Sequence, residues 1–156
     1  MAHEHEHGPD CTCGCHDHDH DHAHEHGHHH EHEEVVELSW ARVELEAHTH
    51  EQAATVSMNI HPKEESPITF ADLVNIMQEI ACASEREGGI VGHIKAFAKR
   101  GEAFARASVT AADLPPTCDG DQSLELDTSA EIQLAAIVLL VDPADVLAIS
   151  KQALAR

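Results

Sequence analysis

The first 34 residues of the chain lack the side chains from which a protein core is built. They contain 13 histidines, 10 aspartates or glutamates and 3 cysteines, but no lysine or arginine. Apart from Met1, their only aliphatic residues are Ala2 and Ala23. Ordering such a backbone costs conformational entropy that no apolar burial offsets. We therefore expect residues 1–34 to form a disordered tail in the metal-free state, followed by a single folded domain at residues 35–156.

Charge and composition exclude several classes of partner. The chain has 29 acidic residues against 9 lysines and arginines, a formal charge of −20 with neutral histidine. Nucleic acids and anionic membranes are bound through lysine and arginine, so we expect neither as a partner. The longest apolar run, 134–141, is shorter than the roughly 20 residues of a membrane span. The N-terminus lacks the features of a signal peptide, and we expect a cytoplasmic protein.

An alternation of apolar and polar residues predicts two strands after Trp40. Period two is typical of a strand with one solvated face, and residues 49–52 should turn between the strands. The apolar residues of the first strand are Ala41, Val43, Leu45 and Ala47. Those of the second strand are Ala54, Val56, Met58 and Ile60. These two segments predict a hairpin.

Two helices are predicted from capping residues and helical periodicity. Thr69 and Asp72 have the spacing of a capping box, and the glycine pair at 88–89 would end that helix. Its apolar stripe contains Phe70, Leu73, Val74, Met77, Ile80 and Ala81. Asp142 and Pro143 are typical of the N-cap and first turn of a second helix.

Three further strands complete the predicted domain. Residues 90–99 and 102–110 predict a hairpin with its turn at Arg100-Gly101, which would set Phe97 opposite Phe104. Residues 112–123 predict a polar loop. Residues 131–141 predict a strand that is either covered on both sides or held centrally.

The order of these elements, β-β-α-β-β-β-α, indicates the fold class. We predict an α+β fold: a two-layer sandwich of about five mainly antiparallel strands with two helices on one face, preceded by the disordered histidine-rich tail. The order of the strands in the sheet does not follow from the sequence pattern.

Histidine occupies every second position from residue 16 to residue 28. In an extended chain this spacing places the imidazoles on one side, where a flexible backbone can bring two or three of them onto one ion at about 2.0–2.1 Å. Three cysteines within five residues add thiolates, and the intervening carboxylates can ligate, orient imidazoles or offset charge. The predicted metal ligands are His3, His5, His7, Cys11, Cys13, Cys15, His16, His18, His20, His22, His24, His26, His28, His29, His30 and His32.

These donors restrict the choice of metal. Neutral imidazole suits nickel, zinc, cobalt and copper, whereas thiolates favour thiophilic ions. We expect Ni(II) or Zn(II), with Co(II) or copper as alternatives. At about four donors per ion the tail has room for roughly three ions. Because protons compete for the same nitrogens, binding should weaken on acidification.

On this composition, the tail resembles the histidine-rich extensions of nickel accessory proteins for hydrogenase and urease. It is also similar to the histidine-rich loops of zinc transporters and other zinc-handling proteins. The resemblance covers residues 3–32 and implies metal storage, buffering or delivery. The alternatives are an acidic arm that only improves solubility and an engineered purification tag.

Four histidines lie in the predicted domain. His48 and His50 would share one strand face at a hairpin tip, where they either receive metal from the tail or are simply solvated. We expect a structural or solvated role for His61. His93 is expected on the strand face of Val91, Lys95 and Phe97, partly exposed and with no role as a metal ligand.

The predicted domain contains two cysteines, Cys82 and Cys118. Cys82 should be a half-buried residue on the flank of the first helix. Cys118 lies in the long predicted loop, where it either belongs to a turn with incidental acids or helps to bind a metal or a partner. The chain contains no G-x-S-x-G and no phosphate-binding glycine loop, which favours a role other than catalysis.

The sequence favours a metal-ion binding protein, a nickel or zinc metallochaperone or storage protein. The tail would be the ligand reservoir, and the domain would dock a client metalloprotein or transporter or form a homodimer. One alternative is a metal-dependent enzyme or ligand-binding domain that the tail supplies with metal. Another is a metal-responsive interaction module.

Overall fold

The computed structural model describes residues 32–64 and 68–155, which form nine strands and two helices. The strands are β1 (His32–Glu37), β2 (Ala41–His50), β3 (Ala53–Pro62), β4 (Ile68–Thr69), β5 (Ile90–Arg100), β6 (Ala103–Val109), β7 (Thr117–Gly120), β8 (Glu125–Leu126) and β9 (Glu131–Leu139). The helices are α1 (Phe70–Arg86) and α2 (Pro143–Leu154).

Seven of the described strands form one antiparallel sheet in the order β1-β2-β3-β9-β5-β6-β7, and β4 pairs with β8 in a small second sheet. β9 is the last described strand in the chain but the middle strand of the large sheet, because it pairs with β3 on one side and β5 on the other. Its predicted central position is confirmed. It is not covered on both sides, since its residues alternate between buried and more exposed.

The turn between β5 and β6 is Gly101-Glu102, one residue later than predicted. Gly101 has φ = 59°, a left-handed conformation that glycine adopts without steric cost. The shift changes every pair in the hairpin. The predicted pairing of the two phenylalanines is therefore wrong: Phe97 lies opposite Arg106, and Phe104 lies opposite Lys99.

Both helices begin at the residues that the sequence predicts. At the start of α1 the Thr69 hydroxyl accepts from the Asp72 N–H at 3.3 Å, and the Asp72 carboxylate accepts from the Thr69 N–H at 2.8 Å. At the start of α2 the Asp142 carboxylate accepts from the Ala144 N–H at 2.8 Å. Neither helix has the length and apolar character needed to cross a membrane.

α1 and α2 pack on the same face of the large sheet and against each other. α1 contacts β5 and β6, whereas α2 contacts β2 and β3. Every second residue of the central strands is buried under them; Leu45, Met58 and Leu134 are at most 2% exposed. Full burial of one such side chain contributes about 1.5–3 kcal/mol. The α+β class, the antiparallel pairing and the placement of both helices on one face are confirmed.

The described part of the chain contains nine strands where about five are predicted. β4, β7 and β8 have only two to four residues, too few to show a period of two. β7 lies within residues 112–123, which are predicted as a loop. β1 begins at His32, so the predicted domain boundary before Val35 falls inside a strand. Lys151 of α2 contacts this strand, with Nζ 3.0 Å from both carboxylate oxygens of Glu34.

Candidate functional site

The sheet surface that faces away from α1 and α2 is called the open face below. Two rows of directly opposed residues cross its centre from β1 to β7. The first row is Glu33, Glu46, Ser57, Ala135, Lys95, Ser108 and Thr117. The second row is Val35, Glu44, Asn59, Gln133, Phe97, Arg106 and Asp119. Opposed Cα atoms in an antiparallel sheet lie about 4.5–5.5 Å apart, so each row is a continuous line of side chains.

Charge is separated along these rows. The acidic half of the open face, on β1 and β2, carries four carboxylates and one guanidinium: Glu33, Glu37, Glu44, Glu46 and Arg42. The basic half, on β5, β6 and β7, carries three cations and one carboxylate: Lys95, Lys99, Arg106 and Asp119. β3 and β9 lie between the halves. The sheet order therefore holds opposite charges apart on a single surface.

Only part of the basic half is paired within the chain. Arg106 contacts the Asp119 carboxylate through Nη2 at 2.6 Å and through Nε at 2.9 Å. Exposed pairs of this kind contribute about 0–1 kcal/mol to stability. Among residues 32–64 and 68–155, the ammonium groups of Lys95 and Lys99 have no hydrogen-bond or ion-pair partner. Their charge is available to a second molecule.

A groove with a volume of about 720 Å³ crosses the open face from β3 to β7. Its polar side chains are Ser57, Asn59, Lys95, Arg106, Ser108, Thr117, Asp119 and Gln133. Phe97 and Ala135 add apolar surface. Recognition sites of about 300–1,000 Å³ commonly combine apolar surface with a few polar groups that fix orientation. The cations and amides of this groove are suited to a partner with carboxylates.

A bulge in β5 sets the position of His93. The register between β5 and β9 shifts at Gly92, which is the extra residue. A Cβ added at Gly92 would lie 3.1 Å from Cδ1 of Leu139, a tight contact that glycine avoids. Because of the bulge, Val91 is buried in the core while His93 lies on the open face with Lys95. The prediction that His93 shares a face with Lys95 and Phe97 is therefore confirmed, and its extension to Val91 is wrong.

His93 is half-buried at the edge of the basic half. Its Nε2 and the Ser108 hydroxyl share a hydrogen bond of 2.7 Å. Burial lowers the pKa of His93 below its ordinary value of 6.5, and the positive charge of Lys95 lowers it further. Since the unfolded chain takes up this proton more readily, His93 contributes stability above about pH 6.5 that is lost as the pH falls through the folded-state pKa.

We expect the imidazole of His93 to titrate with a midpoint below about 6.5 when its ring protons are followed by NMR. Lys95→Gln should raise this midpoint, because it removes the repulsion between the ammonium and the imidazolium. The midpoint should stay below the ordinary value, because burial is the larger cause. Lys99→Gln is the matched control and should change the midpoint less. An unchanged midpoint in Lys95→Gln would contradict this assignment.

Fifteen of the sixteen predicted metal ligands, from His3 to His30, lie outside the described residues. The remaining one, His32, is the first residue of β1 and pairs with Ala47. In residues 32–64 and 68–155 no three histidine, cysteine, aspartate or glutamate side chains are grouped so that they could hold a metal ion.

His48 and His50 lie at the end of β2, next to the turn as predicted, whereas His61 lies at the opposite end of the hairpin. His48 and His61 belong to β2 and β3, and each has a ring nitrogen 3.7 Å from a glutamate carboxylate, of Glu46 and Glu44 respectively. His50 is exposed at the end of β2.

The two cysteines of the domain are both half-buried free thiols. Cys82 is on α1, as predicted. Cys118 is in β7 and not in a loop, and it packs against the core opposite Ala107. Its neighbour Asp119 is the carboxylate that contacts Arg106.

The basic half of the open face was not predicted as a site. Its signal is present in the sequence, because four of the nine lysines and arginines lie between Lys95 and Arg106 in a chain of charge −20. What the sequence does not show is that β5 and β6 lie beyond β9 from the acidic strands. That arrangement follows from the sheet order.

No protein-family model, curated protein or solved structure matches this chain.

Proposed function

We propose that the protein is a cytoplasmic binding or storage protein for Ni(II) or Zn(II), with the N-terminal tail as ligand reservoir and the folded domain as docking or oligomerisation module. The observation that carries this proposal is the unbroken series of histidines at every second residue from His16 to His28, next to Cys11, Cys13 and Cys15. Imidazoles and thiolates at this density are donors for borderline and soft divalent ions.

The domain supports a docking role through the open face. It combines an acidic half, a basic half and exposed apolar side chains; Phe97 is 40% exposed and Ile137 is 39% exposed. Exposed apolar surface framed by polar residues is typical of interaction surfaces. Such a surface can bind either a client protein or a second copy of this chain.

Calorimetric titration of the full-length chain with Ni(II) and Zn(II) tests the proposal. We expect about three equivalents to bind at neutral pH. Replacement of His16, His18, His20, His22, His24, His26 and His28 by asparagine should lower this capacity by about 40%, because it removes seven of the sixteen predicted ligands.

The matched control replaces histidines of the domain. The triple variant His48→Asn, His50→Asn, His61→Asn should retain the full capacity. Circular dichroism should show the same fold in both variants. If the tail variant kept its full capacity, or if the full-length chain bound neither metal, the proposed function would be wrong.

A further inference from the structure

We propose that the open face is a homodimer interface, in which the acidic half of one copy lies on the basic half of a second copy. This deepens the role of the domain in the proposed function, but it requires no bound metal. Three features of the molecule support this interface: the charge pattern of the open face, the position of β9 in the sheet and the area of the face.

A two-fold axis along β9 makes the open face complementary to itself. β9 is the fourth of seven strands, so this axis places β2 opposite β6 of the second copy and β3 opposite its β5. This rotation places each row of opposed residues in one copy on the same row of the second copy. Glu44 then faces Arg106 of the second copy, and the same contact occurs again by symmetry. In the first row, Glu46 faces Ser108 of the second copy, and Lys95 of that second copy lies next to this Ser108.

The other face-to-face arrangement is disfavoured by charge. A two-fold axis in the sheet plane but perpendicular to the strands places each strand opposite itself. With this axis midway between the two rows, the carboxylate of Glu44 in one copy would meet that of Glu46 in the second copy. Like charges juxtaposed in an interface cost several kcal/mol. The charge pattern therefore selects one of the two arrangements.

Glu44 and Arg106 each have an exposed ion-pair partner within their own half, Arg42 at 3.2 Å and Asp119 at 2.6 Å. The net charges of the two halves, however, cannot neutralise each other within one chain. β2 and β6 are four strands apart in the sheet, which places Glu44 and Arg106 about 19 Å apart. Charges at that distance are largely screened at physiological ionic strength, where the Debye length is about 8 Å. A second copy brings them into contact.

The strand on the axis is apolar on its open face. Ala135, Ile137 and Leu139 lie along β9 there, with Gln133 at the end of this series. Phe97 lies on the next strand. The charged residue of β9 on this face is Glu131, which is exposed at the start of the strand. There it faces Glu131 of the second copy at the edge of the interface, where solvent and salt screen the repulsion. An apolar centre with a polar rim is the usual anatomy of a protein–protein interface.

The area of the open face is that of a stable dimer. Seven strands about 4.8 Å apart, with central strands about 30 Å long, give a face of roughly 900 Å². A standard protein–protein interface buries about 800 Å² on each partner. Two twisted sheets pack face to face with their strands within about 30° of each other, which keeps the rows of the two copies in register near the axis.

Sedimentation velocity of the full-length chain tests this proposal, at micromolar concentrations in EDTA, a reductant and physiological salt. We expect the wild-type chain to dimerise. Glu44→Lys and Arg106→Glu should each weaken dimerisation about tenfold or more, because each reverses one partner in both symmetric contacts. An equimolar mixture of the two variants should dimerise again, because in the mixed dimer both contacts join opposite charges.

Two controls have the same charge changes away from the open face. Glu87→Lys and Arg86→Glu, at the end of α1, should dimerise like the wild type. Circular dichroism of all four variants checks the fold. A wild-type chain that stays monomeric, or single variants that dimerise normally, would overturn the interface. EDTA removes free metal, so this experiment tests the dimer without any contribution from metal binding by the tail. The proposed metal binding is tested separately by the calorimetric titration.

Discussion

Trp40→Ala is expected to lower the free energy of unfolding by about 3–5 kcal/mol, the largest effect of any substitution considered for this protein. Trp40 is 5% exposed, and its indole Nε1 donates to the Leu154 carbonyl at 3.0 Å. That carbonyl belongs to the last turn of α2, where carbonyls have no partner within the helix. The side chain thus joins the start of β2 to the end of α2 through both packing and a hydrogen bond.

Two further variants separate these contributions. Trp40→Phe keeps an aromatic ring but leaves the buried carbonyl without its donor, and should cost about 1–3 kcal/mol. Leu114→Ala, at a side chain that is 52% exposed, should cost about 0.5 kcal/mol or less. Urea unfolding followed by far-UV circular dichroism, at one protein concentration, measures all three. A Trp40→Ala variant as stable as Leu114→Ala would contradict the prediction.

Gly120→Ala is expected to cost about 2–5 kcal/mol, through left-handed backbone strain together with overpacking. Gly120 has φ = 85°, and an added Cβ would overlap the Phe104 carbonyl oxygen and lie 3.0 Å from Cα of Ala105. Both obstacles are backbone atoms of β6, which cannot rotate away. We expect β7 to shift, and Asp119 to move with it away from Arg106.

Gly88→Ala is the control that isolates the backbone strain. Gly88 also has φ = 85°, but an added Cβ there meets no atom within 4 Å. This variant should lose only about 1–2 kcal/mol. Thermal unfolding followed by circular dichroism compares the two. If Gly120→Ala were no less stable than Gly88→Ala, the close approach of β7 to β6 would not matter for stability.

Gly120→Ala also links stability to the open face. Arg106 contributes to the groove and to the proposed dimer contact with Glu44 of the second copy. Asp119 holds the Arg106 guanidinium at 2.6 Å and so limits its conformations. A displaced β7 should therefore weaken dimerisation as well as folding.

Periodicity predicted the elements that are long enough to show it. β2, β3 and β9 alternate over nine or ten residues. α1 and α2 begin at recognisable caps. β1 was missed because its residues continue the polar composition of the tail, and β7 because four residues show no clear period. Strands of this length exist only because a neighbouring strand supplies their hydrogen bonds.

Two local errors have identifiable physical causes. The sequence pattern predicts the turn of the β5–β6 hairpin one residue early, because a glycine can occupy either position of a two-residue turn. In the structure Gly101 occupies the first position. Strict alternation places Val91 on the same side of the sheet as His93. The bulge at Gly92 interrupts that alternation, and it depends on the pairing of β5 with β9, which are far apart in the chain.

The sequence alone determined the α+β class, the helix starts, the residues that alternate toward the core and the concentration of histidines and cysteines in the first 32 residues. These are properties of composition and local period. Only the tertiary structure decided that β9 lies between β3 and β5, and with it that the acidic and basic strands lie on opposite sides of one open face. Pairing between distant strands depends on which surfaces pack together under the helices, and no local pattern encodes it.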